Sequence, residues 1–224
     1  MYQRRERAIF RHGCGVRVTI IGAGNMGRGV GTRAVAGGHK VEVVDRNPED
    51  AQALAAELGG GATAVEPGGP IGGDLVVLAL YYASIADAVE QYRDQLSGKV
   101  VVEISVPLDW DTMDGFVVPA DSSAGEEVQK LLPEGTPVVK AFCTTFARTL
   151  VDGEKNGVPL DVPMAGDDED AKRQVAALVE GGGMRPIDLG PLRRARQLEN
   201  AAFTQVAAQN PLGAGFDTAL KILD

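Results

Sequence analysis

The stretch VTIIGAGNMGRGV, residues 18–30, decides the fold class of this chain. Four β-forming residues lead into three glycines, Gly22, Gly24 and Gly27, which have the spacing G-x-G-x-x-G. The first glycine of such a set permits a tight turn, the second lets a ligand come close to the backbone, and the third lets the following helix pack against the strand. With an acidic residue, Asp45, further on, this strand, turn and helix predict a β-α-β unit that binds a dinucleotide.

Strand and helix patterns alternate along the rest of the chain. Strands are predicted at residues 17–21, 41–44, 75–80, 100–104 and 138–141, and the last three are continuous apolar runs of the kind that a parallel sheet buries on both faces. Helices are predicted at residues 25–36, 51–58, 85–95, 124–132, 192–209 and 218–223. This alternation predicts an α/β protein with a doubly wound, Rossmann-type parallel sheet.

Length and composition are those of an ordinary globular protein. The 224 residues, 44% apolar and 24% charged, can bury a full core and suit one large domain or one and a half. No apolar run approaches the ~18 to 20 residues that span a bilayer, and the N-terminus lacks the apolar core of a signal peptide. We therefore expect a cytoplasmic protein that does not contact a membrane.

Charge and cysteine usage exclude further classes. The net charge of −9 argues against a nucleic-acid partner. Residues 1–46 nevertheless carry a surplus of six positive charges, and we expect residues 1–16 of this basic end to be a flexible arm without a role of its own. Cys14 and Cys143 lie far apart and follow no metal-ligand spacing, so reduced thiols and no metal site are expected.

Asp45, Arg46 and Asn47 follow the predicted second strand, where Rossmann proteins bind the adenosine ribose. A carboxylate there accepts hydrogen bonds from the ribose hydroxyls and repels a 2′-phosphate, whereas an arginine binds that phosphate. Because both side chains are present, these residues do not decide between NADP and NAD as the bound dinucleotide.

Four later segments are less generic than the glycine turn. They are VVEISVPLDWDTMDGF (residues 101–116), SSAGEEVQKLLPEGTPVVKAFCTTFARTL (122–150), DVPMAGDDEDAK (161–172) and RPIDLGPLRRARQLE (185–199). Together with the glycine turn they resemble the NADPH-dependent reductases of the deazaflavin coenzyme F420, over nearly the whole chain from residue 17 to residue 223. KAFCTTFA, AGDDEDAK and GPLRRAR are the most specific parts of this resemblance, although the same domain recurs in some ferric reductases.

The resemblance implies a domain organisation and an activity. Residues 17–150 would hold NADP, and a smaller C-terminal α+β domain, residues 151–224, would close a cleft in which the deazaflavin stacks on the nicotinamide. Hydride would pass directly between the two rings. We therefore expect an oxidoreductase whose side chains position the cofactors and take no part in the chemical step. The family also implies a homodimer whose other partners are small-molecule cofactors.

The resemblance, and the rule that ligands bind at the carboxyl ends of parallel strands, imply the site residues. Arg196 matches an arginine of the family's cleft, and its neighbours Arg193 and Arg194 are expected to face solvent. The family often has Asn or His in place of Cys143, so Thr144 is the preferred polar contact after the sixth strand. The expected cofactor-binding residues are Gly22, Ala23, Gly24, Asn25, Met26, Gly27, Asp45, Arg46, Asn47, Leu80, Tyr81, Tyr82, Ser105, Val106, Pro107, Phe142, Cys143 and Thr144, and the expected substrate-binding residues are Thr145, Arg196 and Leu212.

The residues of this sequence and the resemblance to the family give different indications about which dinucleotide binds. The family commonly places a small hydroxyl residue before the arginine, so Asp45 departs from the pattern while Arg46 matches it. We expect NADP(H) by a narrow margin, with NAD as the alternative and F420 as co-substrate.

Three other functions remain open at this point. IGAGNMG also suggests a pyrroline-carboxylate-type reductase, although AGDDEDAK and GPLRRAR do not resemble that family. A ferric or flavin reductase is the second alternative. The third is a redox sensor that binds NAD(P) without turnover, because the overall acidity does not suit an anionic coenzyme.

Overall fold

The structure is a computed structural model, and it describes residues 15–223. The predicted arm therefore lies almost entirely outside the described residues, and so does Cys14. Within these residues the strands are β1 (Arg17–Ile21), β2 (Lys40–Val44), β3 (Thr63–Val65), β4 (Leu75–Leu78), β5 (Val100–Glu103), β6 (Val138–Lys140), β7 (Glu154–Lys155), β8 (Val158–Pro159), β9 (Asp161–Gly166) and β10 (Arg185–Asp188). The α-helices of the described part are α1 (Asn25–Ala36), α2 (Pro48–Leu58), α3 (Ile85–Leu96), α4 (Ala124–Leu131), α5 (Ala147–Asp152), α6 (Glu169–Gly181), α7 (Ala195–Ala207) and α8 (Gln209–Leu212), and single 3₁₀ turns precede α3 and α7.

Eight strands form one sheet in the order β10-β9-β6-β5-β4-β1-β2-β3. Strands β1 to β6 are parallel and follow the Rossmann order 3-2-1-4-5-6, which confirms the predicted α/β class. Strand β9 joins β6 in the antiparallel sense, and β10 runs parallel to β9. The residues after 150 thus extend the same sheet, and the division into two domains at that point stays a prediction.

The sheet is buried on both faces, as the apolar runs predict. Every residue of β4 and β5 is buried. One apolar cluster includes Val18 and Ile20 of β1 together with residues of α1, α2, α5 and α6. A second includes Ile21 of the same strand and residues of α3 and α4. Each such aliphatic side chain contributes about 1.5–3 kcal/mol when it leaves water, so these layers hold the ends of the strands in place.

The C-terminal segment departs from the prediction. The predicted helix at residues 218–223 is wrong, because this segment is irregular. Its backbone groups bind side chains of the sheet edge instead of each other: the Ile222 N–H donates to Asp161 (2.8 Å), and the Ile222 carbonyl accepts from Arg185. The predicted helix at residues 192–209 is divided into a 3₁₀ turn, α7 and α8, and it ends at Gly213 in a left-handed conformation.

Candidate functional site: the carboxyl edge of the parallel strands

The glycine turn lies between β1 and α1, where the strand order reverses and β1 neighbours β4. Gly22 has φ +114°, and a Cβ there would lie 2.3 Å from the Ala79 carbonyl oxygen. A Cβ at Gly27 would lie 2.0 Å from the Gly22 oxygen, whereas a Cβ at Gly24 would meet nothing within 4 Å. Two glycines are therefore required by close packing, and the third leaves open space beside the backbone. This is the division of roles that a pyrophosphate site needs.

The N-terminus of α1 differs from those of α2, α4 and α6. Helices α2, α4 and α6 are capped by the side chains of Asn47, Ser123 and Asp168, and each has two acidic residues in its first turn. Gly24 caps α1 without any side-chain bond, and the first turn of α1 holds no acidic residue. Its N–H groups and positive dipole end are thus available to an anion, which fits a dinucleotide pyrophosphate.

Asp45 is hydrogen-bonded within the fold, whereas Arg46 is exposed. The Asp45 carboxylate accepts from the Ala23 N–H (2.7 Å) and from the Asn47 N–H (3.0 Å), so it joins the end of β2 to the glycine turn. Arg46 is exposed and has no ion pair within residues 15–223. Asn47 caps α2 by accepting from the Glu49 N–H (3.2 Å). Arg46 is therefore the side chain of this group that is open to a ligand.

The residues after β4 form one wall beside the glycine turn. Leu80 packs against Gly22 and the second apolar cluster. Tyr81 is 72% exposed and makes an edge-to-face contact with Trp110 (5.9 Å between ring centroids). Tyr82 is half-buried in the 3₁₀ turn, and burial, aided by nearby carboxylates, raises the pKa of its phenol. Tyr81 is therefore the aromatic surface that a planar ligand can reach.

Two buried hydroxyls after β5 and β6 have no hydrogen-bond partner, those of Ser105 and Thr144. The neighbouring Thr145 hydroxyl is bonded to the Phe142 carbonyl (2.6 Å), and Phe142 itself has φ +60°. A buried polar group without a partner costs about 1–3 kcal/mol, and unfavourable backbone conformations gather at functional sites. Both features fit a site at which a ligand completes the hydrogen bonds.

Cys143 lies between these residues but is a poor polar contact. Burial raises the pKa of its thiol to about 12, although the nearby Lys140 ammonium acts in the opposite direction. The side chain packs with Ala165 and Leu198 in a small apolar cluster, against which Val106 also packs. The thiol is therefore a neutral packing group.

The other predicted cofactor residues are largely engaged within the fold. The Asn25 side chain accepts from Arg28 (3.1 Å), and Met26 packs against the first apolar cluster. The buried Pro107 accepts from the Val117 N–H through its carbonyl (2.8 Å). These residues support the turn and the loops more than they offer side-chain polar groups.

A buried cluster of three charges was not predicted from the sequence. Glu103 on β5, Lys140 on β6 and Glu199 on α7 have side chains that are at most 1% exposed. The Lys140 ammonium donates to Glu103 and to the Ser105 carbonyl (2.5 Å), and its Nζ lies 2.9 Å from Glu199 Oε1. Burial acts to lower the pKa of Lys140, but the two carboxylates outweigh it and raise that pKa well above its usual range. The only sequence signal is that Glu103 and Lys140 interrupt two apolar strands.

The predicted substrate residues lie around α7. Arg196 is half-exposed and forms a bidentate ion pair with Glu126 through Nε and Nη2 (2.8 Å each). A cleft of about 460 Å³ borders this helix and shares no lining residue with the glycine turn. Leu212 is 68% exposed at the end of α8 and does not line that cleft. Lining residues of the cleft include Phe116, Pro119, Ser122, Arg196, Glu199 and Asn200.

Other kinds of site find less support in the described part of the chain. Within residues 15–223, no group of three or more His, Cys, Asp or Glu side chains is arranged to hold a metal ion. None of the helices in that range combines the length and apolarity needed to cross a membrane. A second hollow, of about 550 Å³, is lined by charged residues such as Arg33, Arg148 and Asp217, and none of the predicted site residues borders it.

The fold and the glycine turn define a protein of the Rossmann class. The model of the family described as NADP oxidoreductase, coenzyme F420-dependent, matches residues 17–107. The F420-dependent NADP reductase of Methanothermobacter thermautotrophicus is 30% identical over an alignment of 201 positions, which covers 82% of this chain and 85% of that protein. The chain therefore belongs to the family of F420-dependent NADP oxidoreductases.

Further relatives extend the comparison. The F420-dependent NADP reductase of Methanocaldococcus jannaschii is 37% identical over 131 residues, 57% of this chain and 58% of that protein. The metalloreductase STEAP3 of Rattus norvegicus is 31% identical over 82% of this chain, which corresponds to 36% of the rat protein. A crystal structure from Arthrobacter sp. FB24, itself assigned to the F420-dependent NADP-reductases, is 28% identical, with a TM-score of 0.81 over 94% of this chain and 100% of that one. The matches thus span little more than half of the M. jannaschii protein and about a third of the rat protein.

Proposed function

We propose that this protein transfers a hydride reversibly between NADP(H) and the deazaflavin coenzyme F420. The observation that carries the proposal is the uncapped N-terminus of α1 behind Gly24, placed where the strand order reverses between β1 and β4. An open α/β sheet binds its ligand at that point, and the free N–H groups suit a pyrophosphate. Membership of the family supports F420 as the second substrate.

The chain's own residues bind and orient the two rings. When bound, the reduced nicotinamide supplies the hydride and the deazaflavin accepts it, so no side chain has to react. The unpartnered hydroxyls of Ser105 and Thr144 are suited to fix polar groups of the rings, and the exposed Tyr81 is suited to cover a ring face. Exclusion of water and correct orientation supply most of the rate enhancement in such a reaction.

NADP(H) is the proposed dinucleotide. Arg46 is exposed without an ion pair among the described residues, and a guanidinium binds a phosphate through a planar pair of donors. Asp45 is already bonded to the Ala23 and Asn47 N–H groups, which keeps its carboxylate on the glycine turn. The 2′-phosphate would therefore bind to Arg46, while the Asp45 carboxylate would oppose it by like-charge repulsion.

The deazaflavin is proposed to bind near α7. Arg196 uses Nε and Nη2 for Glu126, so its Nη1 donors remain for an anionic ligand. Thr145 and Leu212 stay proposed substrate contacts, although the Thr145 hydroxyl already has a partner in Phe142. A cytoplasmic homodimer that acts on small molecules only is the proposed setting.

A turnover assay tests the proposal. The protein is mixed with NADPH and oxidised F420, and loss of the deazaflavin's visible absorbance is followed, with NADH in a parallel reaction. Turnover with NADPH supports the proposal and excludes a sensor without activity. Failure with both dinucleotides, together with rapid reduction of a flavin, ferric or pyrroline-carboxylate substrate, would assign the chain to that other acceptor.

A further inference from the structure

The buried cluster of Glu103, Lys140 and Glu199 holds two negative charges and one positive charge. The Lys140 ammonium donates hydrogen bonds to Glu103 and to the Ser105 carbonyl, and it forms an ion pair with Glu199 Oε1, an oxygen that has no hydrogen-bond partner of its own. The cluster as a whole keeps one carboxylate in excess. Burial and the neighbouring Glu103 raise the pKa of Glu199, against the influence of Lys140 and the Ala124 N–H.

The cluster binds both peptide groups that flank the Ser105 Cα atom. The Ser105 N–H donates to Glu103 (2.6 Å), and the Ser105 carbonyl accepts from Lys140 (2.5 Å). Hydrogen bonds to charged groups are roughly twice as strong as neutral ones, so the Ser105 backbone has little freedom to rotate. The same residue carries one of the two buried hydroxyls that have no partner.

Glu199, the third member of the cluster, connects the Ser105 backbone to the cleft. Glu199 lies on α7, lines the cleft of about 460 Å³, and accepts from the Ala124 N–H at the start of α4 (3.2 Å). Arg196, three residues earlier on α7, is paired with Glu126 on α4. Lys140 therefore lies between the loop after β5 and the helices that form the cleft.

Stability alone does not account for such a cluster. Buried ion groups can be replaced by apolar or neutral residues of similar volume with no loss of stability, because desolvation offsets the attraction. A cluster with an excess carboxylate is less favourable still. The charged side chains of this cluster bind the Ser105 backbone on one side and Glu199 of α7 on the other, and so fix the orientation of the two.

We propose that Lys140 is a positioning residue, which through Glu103 and Glu199 holds the Ser105 backbone against α7 and so sets the alignment of the dinucleotide with the second substrate. This inference rests on the proposed function. Lys140 does not contact the reacting atoms in this assignment; it acts through Ser105. Because misplacement of reacting groups by about 1 Å can cost about a hundredfold in rate, removal of the cluster is expected to lower the turnover number.

The test is a variant without buried charge: Glu103→Gln, Lys140→Met and Glu199→Gln together. We expect an unfolding temperature at or above that of the native protein, an NADPH Kd within about twofold, and a kcat reduced about tenfold or more. A folded triple variant with native kcat would overturn the inference. Should the triple variant not fold, Glu199→Gln alone is tested, because it leaves Lys140 and Glu103 as a neutral pair. A native kcat in that single variant would also overturn the inference.

Glu42→Gln is the matched control. Glu42 is a half-buried carboxylate on β2 that accepts from Thr19 Oγ1 (2.5 Å) and from the Gly72 N–H (2.6 Å), next to the start of β4. Its loss is expected to lower the unfolding temperature without changing kcat. If kcat falls in proportion to the unfolding temperature in every variant, Glu42→Gln included, the cluster has only a structural role and the inference is contradicted.

Failure of the proposed function is distinguishable from failure of this inference. If the native protein transfers no hydride to F420, the function is wrong, and hydrogen exchange of the Ser105 amide then replaces turnover as the readout. Positioning predicts that NADPH slows this exchange in the native protein but not in the triple variant. An equal response of both proteins would overturn it.

Discussion

The Asp45 carboxylate accepts a hydrogen bond from the Ala23 N–H at 2.7 Å. This bond fastens the acidic residue after β2 to the glycine turn, and a second one from the Asn47 N–H holds its other oxygen. Arg46 takes no part in it. The two side chains that give opposite indications about the dinucleotide are thus separated in the structure, one bound to the turn and the other exposed.

Arg46→Ala is expected to weaken NADPH binding far more than NADH binding. Loss of a charged hydrogen bond costs about 1.5–3 kcal/mol, which is about tenfold or more in Kd. Isothermal titration with both dinucleotides measures the difference, and Arg173→Ala on the exposed face of α6 is a control. An NADPH Kd that does not change would show that Arg46 is not the phosphate ligand.

Asp45→Ser is expected to tighten NADPH and to weaken NADH. The change removes a carboxylate that would repel the 2′-phosphate and that would bind the ribose hydroxyls of NADH. It also removes the acceptor of the Ala23 N–H, so a decrease in stability of about 1 kcal/mol is expected. Tighter binding of NADH to the variant would contradict this role of Asp45.

Thr144→Val is expected to stabilise the protein and to impair turnover. The hydroxyl is buried without a partner, and its replacement by a methyl group removes an unmet hydrogen bond, which should raise the unfolding temperature by about 2–4 °C. If a ligand normally meets that hydroxyl, kcat/KM falls. Thr145→Val is the control for stability, since the Thr145 hydroxyl is bonded to Phe142 and its loss should lower the unfolding temperature. A stabilised Thr144 variant with native kcat/KM would remove Thr144 from the site.

Glu199→Gln is expected to change the pH dependence of stability. The folded state raises the pKa of Glu199, chiefly through burial, so the native protein loses stability as pH rises above about 4.5, the value of an ordinary glutamate. Glutamine does not ionise, and the variant should exceed the native unfolding temperature by a margin that grows as pH rises above about 4.5.

Glu126→Gln is the control for that measurement. The hydrogen bond from Arg196 lowers the pKa of Glu126, so the contribution of this carboxylate is present above its ordinary pKa and is lost as pH falls. The Glu126 variant should therefore be the less stable one at neutral pH and equal to the native protein in acid. A Glu199 variant whose advantage shrinks with rising pH would show that the folded state lowers the pKa of Glu199 instead.

Arg196→Ala is expected to raise the KM for F420 while the NADPH Kd stays nearly unchanged. The Nη1 donors of Arg196 are the part of the guanidinium that Glu126 does not use. A loss of about 1.5–3 kcal/mol in acceptor binding is the expected size. Arg193→Ala is the matched control, because that side chain is exposed on the preceding turn and should be close to neutral. Equal effects on both ligands would indicate a folding defect instead.

The first β-α-β unit could be predicted in detail because its signals are local. Glycine spacing and apolar periodicity predict β1 and α1 with the bounds that the structure has. The end of the chain could not be predicted in this way. Residues 218–223 have helix-like composition, but the Ile222 backbone binds Asp161 and Arg185, which lie 61 and 37 residues away.

The buried charge cluster was missed for a related reason. Glu103, Lys140 and Glu199 follow no spacing that a motif records, and they meet only because β5 pairs with β6 and α7 packs beside them. The glycine turn and the loops after β4, β5 and β6 were predicted because ligand sites of parallel sheets follow the strand ends. Which hydroxyl in those loops lacks a partner depends on packing that the sequence does not express.

Both margins of the sheet are closed to a further strand. Strand β3 offers only three residues at one margin. At the other margin, β10, the backbone N–H groups of Arg185 and Leu189 donate toward β9. Because backbone N–H groups alternate in direction along a strand, the N–H position of residue 186 faces outward, and Pro186 has no N–H there to donate. Exposed strand edges are the usual starting points of aggregation, and natural proteins block them in this way. Self-association of this protein by addition of a strand to either edge of the sheet is therefore disfavoured.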